Sequence, residues 1–130
     1  GRVERLSEER KQEEKRREDR FAALTQYFGK VSAEIKTSSL GPTLRIYLPE
    51  KVLFVKGKAV LSEGGKQLLA EVGKAASGFS TASILFSTGG KKSAGEIRAV
   101  LTGVAKIPGD RILSKYIERE RGAELLLLIP

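Results

Sequence analysis

Apolar residues begin to recur in step with a helix at Phe21. Phe21, Leu24, Phe28, Val31 and Ile35 are spaced 3, 4, 3 and 4 residues apart, which places them on one face of an α-helix. Such a stripe either zips two helices into a coiled coil or packs on the domain that follows. Two heptads are too few to specify a coiled coil, so packing on the domain is expected. Residues 2–20 behave differently: after Leu6 only polar and charged side chains occur. Their helix propensity is high. Glu8 with Lys11, Glu13 with Arg17 and Glu14 with Arg17 sit at helical neighbour spacings, each pair worth ~0.2–0.5 kcal/mol. The segment can be helical but has nothing to bury. It reads as a solvated lead-in from an upstream domain, frayed at its start.

Ser38-Ser39-Leu40-Gly41-Pro42 is a loop by composition, and beyond it the period drops to two. Leu44, Ile46 and Leu48 alternate with Arg45 and Tyr47, the pattern of a half-buried strand. An irregular connection, Pro49 to Val60, carries Val52, Leu53 and Phe54 toward the bottom of the core. Ser62 is placed to cap a helix whose buried face is Leu61, Leu68, Leu69, Val72 and Ala76, and which ends at Gly78. Thr81 to Phe86 reads as a buried second strand and Thr88 to Ser93 as a tight loop. Ile97, Val100, Leu101 and Val104 form the apolar face of a second helix. The turn through Pro108-Gly109-Asp110 leads to a third strand, Arg111 to Tyr116. After a charged hairpin at Glu118 to Gly122, the segment Glu124 to Ile129 contains four consecutive leucines, the mark of a central strand buried on both faces. The order β-α-β-α-β-β predicts an α/β fold, a two-layer α+β sandwich with a mixed sheet, helices on one face and a further helix in front. The expected division is a charged helical linker at 1–40 and one domain at 41–130.

At 130 residues and 40% hydrophobic content, the chain supports one ordinary core. It contains no Cys, His, Met or Trp. That removes thiol chemistry, disulfides and Cys/His zinc sites, and with them the side chain that titrates nearest neutrality. No nucleophile–base pair, carboxylate pair or metal constellation can be assembled, so neither an enzyme nor a cofactor nor a metal is expected. Gly89, Gly90 and Gly95 lie between a strand and a helix, but the spacing does not fit a Walker loop. No apolar run approaches the roughly 18 residues of a membrane span. The chain begins at Gly1 rather than Met and reads as a piece of a longer protein, with any signal peptide outside it.

The net charge of +8 is unevenly distributed. Residues 1–20 hold eight basic and seven acidic side chains, so the surplus lies in residues 21–130, with sixteen against nine. A basic domain invites nucleic acid or an anionic envelope component. Nucleic acid is disfavoured, because Phe21, Phe28, Phe54 and Phe86 all fall at core positions and leave no stacking platform.

The segment Leu48 to Leu61, LPEKVLFVKGKAVL, joins the first strand to the first helix of the domain. It resembles the opening of the OmpA C-terminal domain, the peptidoglycan-associating module also found in MotB and Pal-type proteins. Gly65, Leu69 and Val72 fall where that family has its first helix's glycine and apolar face. Ile107 to Ile112 is similar to its turn into the third strand. Arg121 to Leu125 sits where the family reads approximately Asn-Arg-Arg-Val-Glu-Ile, with the first Arg and the Glu retained. The match covers about residues 44–129. It implies the same fold, a periplasmic location, and peptidoglycan or another envelope protein as partner.

The resemblance also implies a ligand site, and there the match breaks. Family members grip both charged ends of a stem-peptide residue, usually diaminopimelate. An aspartate follows Gly-His-Thr at the end of the second strand, and an arginine lies early in the second helix within Leu-Ser-x-x-Arg-Ala-x-x-Val. Here the strand end reads Phe86-Ser87-Thr88-Gly89, and Gly89 stands at the aspartate position. No carboxylate lies between Glu71 and Glu96. The arginine has two registers. Matching Arg98-Ala99 keeps the cation but puts Thr102 and Lys106 at core positions. Matching Ser93, Val100 and Val104 keeps the apolar face on the sheet and puts Glu96 at the arginine position. Burying an unpaired lysine costs several kcal/mol, so the second register is preferred. The loop after the second strand is also shorter than in the family.

The ordinary peptidoglycan pocket is therefore not expected to form. The leading expectation is a divergent, non-enzymatic envelope module with a structural or protein-interaction role. The alternative keeps peptidoglycan binding through a basic site built from Thr88, Lys91, Lys92, Arg98 and Arg121, although a lysine pair in a loop is most simply a solvated tip.

Overall fold

The structure is a computed structural model and describes residues 2–130. Helix α1 spans Arg2–Val31. Its apolar stripe packs on the domain, as the short heptad run requires: Phe21, Leu24 and Phe28 are buried in the core, with Ile35 just past the helix. Val31, the last helical residue, remains 48% exposed. Three arginines fasten the helix one turn earlier. The Arg16 guanidinium stacks 4.2 Å from the Phe79 ring centroid and donates to the Gly78 carbonyl. Arg20 lies 5.8 Å from the same centroid, and Arg17 donates to the Ile129 carbonyl at 3.3 Å. Residues 3–15 are exposed throughout, so α1 projects beyond the domain by ~20 Å at 1.5 Å per residue.

The chain then forms a hairpin of β1, Lys36–Leu40, and β2, Thr43–Leu48, turning at Gly41 with φ +57°, a value glycine tolerates without steric cost. The sequence had placed a loop at 38–42. The strand escapes the alternation test because it lies at the sheet's edge and is exposed along nearly its whole length. It also lies on the linker side of the expected boundary at residue 40.

A short helix, α2, Glu50–Leu53, buries Leu53 and brings Phe54 to the core. Helix α3, Glu63–Ser77, starts at Ser62, whose hydroxyl accepts from the Gly65 amide at 2.9 Å, and ends at Gly78. Strand β3 is Ser83–Thr88. Helix α4, Lys91–Ala99, continues into a π-helical turn, Val100–Val104. A 3-10 turn, Gly109–Arg111, leads to β4, Ile112–Tyr116, and β5 is Ala123–Leu128.

The sheet order is β1-β2-β5-β3-β4. Strand β5 is central and antiparallel to both β2 and β3, while β3 and β4 are parallel, as a crossover through α4 requires. Ile84, Phe86, Leu125 and Leu127 form the inner face of the sheet.

Two expectations need correction. The leucine run of β5 is not buried on both faces: Leu125 and Leu127 are fully buried, but Leu128 is 37% exposed, because helices cover only one side of the sheet. Val104, expected in the core, is 67% exposed. The Ala105 amide bonds to the Val100 carbonyl at 3.0 Å, an i to i+5 closure that widens the turn and rotates Val104 away.

Candidate functional site

The end of β3 opens into a groove of about 530 Å³. Its walls come from the connection after β2, the start of α4 and the connection between β4 and β5. That last connection crosses the end of β3 and is not the hairpin expected from the sequence, because β3 lies between those two strands. Each wall is fixed by the fold. Thr88, 1% exposed, lies beneath the floor. Its hydroxyl is 3.1 Å from the Gly122 carbonyl and 3.2 Å from Ser93 Oγ, and Ser93 donates to the Gly90 carbonyl at 3.1 Å. These two hydroxyls tie β3, α4 and the connection between β4 and β5 together. Their hydrogen-bonding capacity is spent internally.

Gly89 and Gly122 explain how closely the walls approach. A Cβ at Gly89 would collide with the Glu120 carbonyl oxygen, and one at Gly122 with the Leu48 carbonyl oxygen. The position at which the resemblance implies a ligand-binding carboxylate is thus filled by the backbone of the connection between β4 and β5. Any side chain there would have to displace it.

The expected site residues separate into two groups. Thr88, Gly89, Lys91, Lys92 and Arg121 line the groove. Arg98 does not: it donates to the carbonyls of Gly109 at 3.4 Å and Ile112 at 2.9 Å, fastening α4 to the start of β4. Glu96 is half-buried and also lies outside the lining. Helix α4 buries Ser93, Ala94, Ile97, Val100 and Leu101, which keeps its apolar face on the sheet.

Sequence reasoning missed Glu50, Lys58, Glu118 and Glu120, all of which line the groove. No carboxylate lies near Gly89 in the chain, yet three reach the groove from distant segments. The available signal was the charged hairpin at 118–122 and the charged residues within the opening motif. Only the antiparallel pairing of Thr88 with Ala123 and Leu48 with Ala123 brings them together. Among the described residues no group of three or more His, Cys, Asp or Glu side chains could hold a metal ion, and no helix is long and apolar enough to cross a membrane.

The architecture is that of an OmpA-like domain. Similarity in structure extends to a protein described as MotB-like from Desulfovibrio vulgaris, with a TM-score of 0.65 and 14% identity over 92% of this chain and 95% of that one. The cell wall anchor of the T6SS from Pseudomonas aeruginosa aligns with a TM-score of 0.64 and 12% identity, over 85% and 96% of the two chains. The OmpA-like domain of FopA1 from Francisella tularensis gives 0.55 and 15%, over 74% and 80%. No protein-family model matches the chain, and no curated protein aligns with it. At such identities the likeness is one of fold.

Proposed function

We propose that this chain is a non-enzymatic module of the bacterial cell envelope, periplasmic, in which an OmpA-like scaffold serves a structural or protein-interaction role without the ordinary diaminopimelate clamp. The projecting part of α1 acts as a spacer to whatever precedes the domain. A zwitterionic ligand needs an anion and a cation held at fixed separation in one pocket. The observation that carries the reading is the closure at position 89, where the Glu120 carbonyl occupies the space of a side chain. The engagement of Arg98 with Gly109 and Ile112 supports it from the other side.

A second reading is favoured by one observation: Lys91, Lys92 and Arg121 line the groove and belong to no ion pair. A basic site of this kind would hold peptidoglycan through its carboxylates. Co-sedimentation with purified sacculi, beside an OmpA-like domain that has both the aspartate and the arginine, tests the first reading. The expected result is that this chain stays in the supernatant while the control pellets. Retention equal to the control's contradicts it.

A further inference from the structure

Charge in this molecule is handled in two ways. Outside the groove several charges are paired: Arg45 with Glu124 at 3.5 Å, and Lys66 with Glu63 and Lys74 with Glu71 at 3.3 Å. In the groove the pattern stops. Glu50, Lys58, Lys91, Lys92, Glu118, Glu120 and Arg121 share one depression, and none lies within 4.0 Å of an opposite charge.

The groove is also longer than its first chamber. A second depression of about 470 Å³ shares Glu50, Phe54 and Gly57 with it and adds Lys56 and Lys51, the latter paired with Glu34 at 2.6 Å. One lip is formed by Lys56 and Lys58, on either side of Gly57, whose φ of +73° makes the turn. The other lip is formed by Lys91 and Lys92 at the start of α4. Phe54, 5% exposed and part of the core, lines both chambers.

We propose that this two-chambered groove is a docking site for an extended acidic segment of a partner protein, its carboxylates held between the two lysine lips. The inference rests on the protein-interaction reading above and gives that partner a chemistry. Charge complementarity selects the occupant. Five unpaired cations, Lys56, Lys58, Lys91, Lys92 and Arg121, outnumber the three carboxylates, and the domain as a whole is basic. The domain of a second copy, residues 21–130 with sixteen basic and nine acidic side chains, is basic as well and is not the acidic occupant. Lysine is a flexible, strongly hydrated point charge, so this site reads charge and spacing rather than the planar geometry of a single headgroup. The carboxylates Glu118 and Glu120 reject uniformly anionic polymers and favour a segment with interspersed neutral or basic positions. Access is open: α1 is fastened beside Phe79 and Ile129, at the end of the sheet where β3 begins, so its free part leads away from the groove at the end of β3.

The test is an amide-shift titration of the 130-residue chain with a synthetic glutamate-rich peptide interspersed with leucine. A glutamine-for-glutamate peptide, a muropeptide and free diaminopimelate are titrated in parallel. The proposal expects saturable shifts around Gly57, Gly90, Lys91 and Lys92 with the glutamate peptide only, abolished at ~1 M salt, where screening acts within ~3 Å. Lys91→Glu with Lys92→Glu should weaken that binding roughly tenfold or more, at about 1.4 kcal/mol per tenfold, while the amide spectrum elsewhere stays unchanged. Equal binding of the glutamine peptide, insensitivity to the double charge reversal, or no saturable shift overturns the proposal. If the muropeptide alone shifts the lysine lips, the proposal also fails and the basic peptidoglycan site replaces it. If diaminopimelate binds, the reading beneath it fails as well.

Discussion

The two ends of β3 use positive charge for opposite purposes. Near Ser83, cations are structural: Arg16 and Arg20 stack on Phe79, Arg16 closes on the Gly78 carbonyl, and Arg17 reaches the Ile129 carbonyl. Near Thr88, Lys58, Lys91, Lys92 and Arg121 form no ion pair among the described residues. A net charge of +8 is therefore not one basic surface. Part of it fastens α1 to the domain, and part lines the groove. Net charge argues about partners and association, not about fold, and only the location of each group shows which part is which.

Breaking the fastened end should have the largest effect. Phe28 is fully buried where α1 meets the core, and Phe28→Ala should cost about 3–5 kcal/mol, read as a fall in the denaturant midpoint. The groove end is sharpened by trying to rebuild the missing anion. Gly89→Asp must push back the Glu120 carbonyl and should destabilise by about 1–3 kcal/mol, without creating affinity for diaminopimelate. A stable variant that binds diaminopimelate would show that the closure is not what excludes it. Arg16→Ala removes a cation–π contact worth roughly 0.5–1 kcal/mol and should speed hydrogen exchange in the α1 residues around it, with the rest of the domain unchanged. Smallest in stability is Lys91→Glu with Lys92→Glu. Both side chains are exposed and unpaired, so unfolding free energy should move within about 0.5 kcal/mol. A large loss would mean that these lysines serve the fold.

Much of the fold was legible because buried elements leave a periodic trace. The α1 stripe, the Ser62 cap, the alternation of β2 and the buried face of α3 all appear where the spacing puts them. Strand β1 left no trace because an edge strand exposed on nearly all sides has nothing to alternate. Val104 was misplaced because a π-helical turn breaks the 3.6 period at the residue where the pattern was extrapolated. The doubly buried reading of Leu125 to Leu128 failed for another reason: apolar composition cannot tell whether a second layer exists to cover the sheet. The groove was half legible. That Gly89 stands where the resemblance implies a carboxylate comes from the sequence, but Glu50, Glu118 and Glu120 meet there only through strand pairing. Arg98 shows the same limit, since two registers fit its sequence and only the carbonyls of Gly109 and Ile112 fix where its guanidinium goes.

The most direct measurement is the affinity of the chain for a diaminopimelate-containing stem peptide, followed through the backbone amides of Gly89, Gly90 and Arg98. With backbone filling the anion's place and the guanidinium engaged elsewhere, these signals should stay fixed as the peptide is added. Saturable movement of all three together would contradict the account.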